Sequence, residues 1–218
     1  MPGTTATEEL EVTDIGGRGR GFGGSDDGGG RGGNGGARAV PQRTYLIGIL
    51  VGVAAILMFF VALASAYIVR KGAAGDWQPI ELPRVLWFNT LVLLVSSATI
   101  EKARRQLREV GLSSFRGWWA VTTVLGVTFL AGQVLAWRQL ARAGVYLATN
   151  PSSSFFYVLT GAHGLHLMGG VVALLYVALR SWQHSRMTRS TAAEVTSIYW
   201  HCMDGLWVLV FILLQLGR

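Results

Sequence analysis

Residues 45–69 read "YLIGILVGVAAILMFFVALASAYIV", with no charged side chain anywhere in the run. The core of a soluble domain needs no uninterrupted apolar stretch of this length. A bilayer does, because about 20 helical residues are required to cross a hydrocarbon layer of about 30 Å. Four further runs of the same kind follow, at about 82–100, 117–137, 154–179 and 195–216, separated by short arginine-bearing segments. Half of the 218 residues are hydrophobic and only 14% are charged. The reading is an all-α, polytopic membrane protein with five transmembrane helices.

What lies outside these runs is of a different character. Residues 1–43 include "GGRGRGFGGSDDGGGRGGNGGAR", with almost no aliphatic content. Such a segment buries too little apolar surface to offset its chain entropy, which predicts a disordered Gly-rich tail ahead of a membrane domain over 44–218. The acids Glu8, Glu9, Glu11, Asp14, Asp26 and Asp27 cancel its five arginines, so it makes no electrostatic site for nucleic acid. No charged n-region precedes an apolar stretch, so no cleavable signal peptide is expected. The net charge of +7 comes mostly from arginines flanking the apolar runs. With the N-terminus in the cytoplasm, thirteen of the nineteen basic residues fall on the cytoplasmic side, which predicts N-in, C-out. One cysteine, Cys202, allows no intrachain disulfide.

Within the runs, small and polar residues are ordered. Gly48, Gly52 and Ala55 form a small-residue stripe on the first helix, a pattern that lets helices approach closely in lipid. Trp118, Trp119 and Trp137 bound the third run as candidate aromatic belts, and Trp77 is expected at the interface. Asn89 and Ser96 share a face of the second helix. Thr160, His163, His166 and Gly170 fall within an arc of about 120° on the fourth, at ~100° per residue. Glu194, Ser197, His201 and Asp204 fall within about 80° on the fifth by the same spacing. Ionisable groups at membrane depth face protein or water and are paired, so His201 and Asp204, three residues apart, are expected to bond each other. Three uses fit these stripes: haem or metal ligation, a proton or ion path, and a structural seam that fixes helix register.

Longer motifs narrow the choice. "SSSFFYVLTGAHGLHLMGG" (152–170) resembles the sixth-helix signature of subunit III of the haem-copper oxidases, and "YWHCMDGLWVLVFILL" (199–214) resembles its final helix. "LPRVLWFNTLVLLVSSATIEKAR" (82–104) is similar to an earlier segment, and the resemblance extends over about 44–216. It implies a five-helix bacterial member, in the cytoplasmic (inner) membrane, that is not itself catalytic. Such a subunit binds no haem or copper of its own, these lying in partner subunits. It packs beside catalytic subunit I and other oxidase subunits, holds phospholipid in a V-shaped cleft, and supports sustained turnover and proton uptake. The first two helices would form one arm of the V and the last three the other. His163, His166, His201 and Asp204 match motif positions, which implies structural roles for them and no metal site. Asn89 and Glu101 join them as candidates for the polar seam or lipid cleft.

The chain departs from the family at one point. Many relatives carry a carbodiimide-reactive glutamate on the helix matching 45–69, where this chain has no acid. Glu101, at the cytoplasmic end of the second helix, is a different position. "YWHCMDGLW" leans toward the cytochrome c branch. The alternatives are subunit III of a quinol oxidase, a nitric oxide reductase accessory subunit and, from another class, a small haem-binding membrane electron carrier.

Overall fold

The computed structural model describes residues 42–73, 75, 77–109, 111–180 and 186–217. Five helices account for nearly all of them: α1 Gln42–Ala73, α2 Val85–Glu109, α3 Leu112–Arg142, α4 Pro151–Arg180 and α5 Arg186–Leu216. All five are long and apolar enough to cross a membrane, and the described residues contain no strand. The expected tail lies outside the described residues. Each helix outruns its apolar stretch. α2, for instance, continues past Ile100 through a charged turn in which Glu101 accepts from Arg104 and Arg105, each at 3.2 Å. Pairs at this helical spacing sustain a helix in water after its apolar face ends. Gly111, at φ 131°, makes the tight turn into α3 in a conformation that other residues rarely adopt.

The packing corrects the expected two-plus-three grouping. The α1 and α2 backbones share no contact: α1 lies on α5 and α4, whereas α2 packs most extensively on α3 and also on α5. α5 is therefore the hub, touching α1, α2 and α4, and no arm is made of α1 with α2. The reason lies in the faces. α1 turns Val53, Phe60 and Tyr67 inward at seven-residue spacing, packs Ile56, Leu63 and Ala64 partly against the core, and leaves its opposite face outside the bundle. α2 closes on α3 because Gly132 has no side chain: a Cβ there would stand 2.0 Å from Asn89 Oδ1.

The tryptophans are also placed differently from the expected belts. Trp119 is fully buried and donates to the Leu174 carbonyl at 2.9 Å, tying α3 to α4. Trp137 donates to Thr160 Oγ1 at 3.1 Å, and Trp118 lies beneath the Lys102 ammonium, 3.8 Å from the ring centroid. An indole N–H buried at membrane depth needs an acceptor, and a facing helix supplies it. At the far end of the bundle, Lys71 Nζ donates to Leu216 O at 2.5 Å and Trp77 Nε1 to Gly217 O at 3.1 Å. These donors satisfy carbonyls at and just past the end of α5 that have no partner within the helix. They also fix α1 and the following loop to the end of α5.

Candidate functional site

The polar groups of the bundle lie along helix seams, and the densest seam joins α2 to α5. Trp200 Nε1 donates to Ser96 Oγ at 3.0 Å, and Trp207 Nε1 to Thr90 Oγ1 at 3.0 Å. Beside the first of these, His201 Nδ1 lies 2.6 Å from Ser97 Oγ. Ser96 and Ser97, later on α2, meet Trp200 and His201, earlier on α5, whereas Thr90 meets Trp207, so bonds at two levels fix one antiparallel register. On the other flank of α2, Thr99 and Thr122 hydroxyls meet at 2.9 Å against α3. α4 is tied to α5 by Tyr199, whose hydroxyl donates to the His166 carbonyl at 2.8 Å, beside Gly170. In a bilayer these bonds cannot be exchanged for bonds to water, so each favours a single helix register.

His201 and Asp204 do not form the expected pair. The imidazole is held by Ser97 on α2, and neither Asp204 oxygen has a hydrogen-bond partner although the residue is buried. Ser97 stands beside the Asp204 carboxyl without closing a bond to it. The physical reason is competition: a hydroxyl on a facing helix lies within hydrogen-bond reach of Nδ1. His166, by contrast, bonds its own helix, with Nδ1 2.7 Å from the Ala162 carbonyl, and lies against Phe60 on α1.

His163 is wholly buried inside a cage of rings, with centroids 5.0 Å from Trp207, 5.8 Å from Phe129 and 6.5 Å from Phe60. Neither of its nitrogens has a hydrogen-bond partner. Asn89 is buried between α2 and α3, where Nδ2 donates to the Phe129 carbonyl at 3.4 Å and Oδ1 abuts Gly132. Glu101 lies one turn beyond Ser97 on α2, within electrostatic reach of His201, and pairs with Arg104 and Arg105. Gly48, Gly52 and Ala55 are exposed, and among the described residues no atom beyond the helix's own backbone and chain neighbours comes within 4 Å of a Cβ built on either glycine.

The structure therefore distributes the candidates instead of gathering them. Among the described residues, no three His, Cys, Asp or Glu side chains converge as metal ligands. Two participants were missed in the sequence. Ser97 was hidden beside Ser96, and Gln133, the single amide in the run 117–137, carried a signal that went unread. Gln133 is 1% exposed, and neither atom of its amide has a partner.

A family model described as cytochrome c oxidase subunit III matches residues 35–216, the whole of the helical region. The cytochrome c oxidase subunit 3 of a Synechocystis strain is 31% identical over 177 residues, covering 78% of this chain and 75% of that protein. The subunit 3 of Thermostichus vulcanus is 33% identical, covering 78% and 86%. A probable cytochrome c oxidase subunit 3 of Mycobacterium bovis is 32% identical over 178 residues, covering 79% and 87%. With that match across all five helices, and relatives of comparable length above 30% identity, the chain belongs to the cytochrome c oxidase subunit III family.

Proposed function

We propose that the chain is the non-catalytic integral subunit of a bacterial cytochrome c oxidase, seated beside the catalytic subunit in the cytoplasmic membrane and stabilising it during aerobic respiration. The observation that carries this reading is the family match over residues 35–216, which takes in every helix. The relatives described above are named for cytochrome c oxidase, which favours cytochrome c over quinol as the donor to the complex. Haem and copper belong to the partner subunits in this reading. The surplus of basic residues around the loops supports an N-in, C-out orientation.

The division of the surface supports a scaffold. α1 is the most apolar helix, yet only 11% of its membrane window is buried in the chain, which leaves a broad face for a partner helix or for lipid. Its small residues Gly48 and Gly52 lie on that face, where a neighbouring backbone can come close. With no arm made of α1 and α2, the place we assign to phospholipid is the outer strip of α5. Gly205, Leu209, Ile212 and Leu216 are exposed there, and α1 and α2 flank α5 without meeting each other.

The test is to tag the chain, solubilise membranes gently and identify what co-purifies. A haem-copper catalytic subunit and cytochrome c oxidation are the expected result. Haem that stays with this chain after the subunits are separated would make it an electron carrier instead. Oxidation of quinol but not of cytochrome c would move it to the quinol branch. Gly52→Leu adds bulk where this chain has only open space, so it is expected to reduce co-purification of the catalytic subunit while leaving membrane insertion intact.

A further inference from the structure

The interior of the bundle contains polar atoms that the seams do not use. Both amide atoms of Gln133 on α3 and both ring nitrogens of His163 on α4 are buried without a hydrogen-bond partner. Each unmet group at such depth is costly, and native proteins leave few of them.

The two residues stand at the same level of the bundle. Phe129, one turn before Gln133, has its ring 5.8 Å from that of His163. Trp137, one turn after Gln133, bonds Thr160, one turn before His163 and Gly164 on the antiparallel α4. Gln133 therefore faces the stretch of α4 between Thr160 and Gly164.

There is room at that level. Gly164 is buried, yet a Cβ built on it would find no heavy atom within 4 Å beyond its own chain neighbours and helix backbone. Elsewhere on the α3–α4 interface the packing is tight: a Cβ on Gly126 would stand 3.1 Å from Val171 on α4. The space thus coincides with the unmet polar groups and not with the apolar packing around them.

We propose that Gln133, His163 and Gly164 form an internal water site, in which at least one sealed water bridges the Gln133 amide and the His163 imidazole. The chemistry suits water. The amide offers both a donor and an acceptor, neutral imidazole offers one of each, and buried waters commonly make about three hydrogen bonds. The surrounding rings of Phe60, Phe129 and Trp207 close the site to lipid and hold the imidazole in place. His163 is thereby a hydrogen-bonded spacer between α3 and α4, and its nitrogens are satisfied by water in place of a metal or a carboxylate.

The test uses the assembled complex, imaged by electron cryomicroscopy at a resolution that shows ordered water. A density peak within hydrogen-bond distance of both the Gln133 amide and the His163 ring is expected. A direct Gln133–His163 hydrogen bond with no peak would overturn the proposal. A second measurement uses Gly164→Ala, followed by the temperature at which the subunit is released from the complex. If water fills the space, the added methyl displaces it and the release temperature falls by about 3 °C or more. In the double variant Gln133→Leu, Gly164→Ala the added methyl costs clearly less, since the amide that needed water is gone. A release temperature for Gly164→Ala that is unchanged or higher would show that the space is dry, and the proposal would fall.

Discussion

α1 and α5 are both long apolar helices, and the structure treats them in opposite ways. α1, the more apolar, has 11% of its membrane window buried within the chain, against 56% for α5. In water the most apolar element would form the core. In lipid, hydrocarbon outside is as hospitable as hydrocarbon inside, so apolarity alone gives a helix no reason to be central. What draws α5 inward is its polar and aromatic content. Trp200, His201 and Trp207 each need a partner, and the hydroxyls of α2 provide them. α1 has few such groups in its span and is held chiefly through one stripe and its end.

This contrast can be broken most forcefully at α5. Trp207 is fully buried, bonds Thr90 and forms one wall of the ring cage around His163. Trp207→Ala is expected to cost about 3–5 kcal/mol, since it removes a large buried side chain and leaves a cavity. The readout is thermal release of the tagged subunit from the solubilised complex. A loss below about 1 kcal/mol would mean that α5 is not the hub, because a truncated core aromatic normally costs several times that.

Within α1 the same measurement should separate the two faces. Phe60, 1% exposed, rests on His163 and His166, so Phe60→Ala is expected to cost about 3 kcal/mol. Were it as mild as an outward substitution, α1 would not be docked through this stripe.

The α2–α5 register offers a finer test. Ser97→Ala and His201→Ala should each weaken retention, and their double variant should lose less than the sum by about 1 kcal/mol, the worth of one hydrogen bond. The same cycle between His201 and Asp204 should show a smaller coupling, because the two do not bond each other and share only the neighbouring Ser97. Coupling in the second cycle and not in the first would reverse the assignment.

The smallest effect is expected on the outer face of α1. Met58 is 72% exposed, and Met58→Ala should change release temperature by an amount equivalent to about 0.5 kcal/mol or less if lipid covers it. A loss several times larger would identify this face as the seat of a partner helix. It would thus decide between the two occupants left open for α1.

How much of this was legible in the sequence depends on the kind of residue. The charge-free run 45–69 was enough to declare a membrane span, because backbone polar groups in hydrocarbon must be satisfied within the segment. The arcs on the fourth and fifth helices follow from the spacing of residues along a single helix. Their partners were not legible. His201 chose Ser97, far away in sequence, over Asp204, three residues away, because a facing helix offered better geometry than its own next turn. Gln133 was overlooked because a single amide in an apolar run has no periodicity to announce it. Trp119 and Trp137 looked like interface residues from their position at the ends of a run, and only the approach of α4 gave their N–H groups an internal acceptor.

By itself, then, the sequence determined five membrane-spanning helices and, through motifs on the second, fourth and fifth, the family. Those properties follow from composition and local order along single helices, which the bilayer reads one segment at a time. Which helices touch was decided only by the tertiary structure. α1 was separated from α2, α5 was placed at the centre, and the histidines were dispersed among a hydroxyl, a helix carbonyl and a cage of rings. Neighbours in lipid are chosen by close fit and by hydrogen bonds between segments distant in the chain, as where Asn89 meets Gly132. A one-dimensional pattern contains both residues but not their meeting.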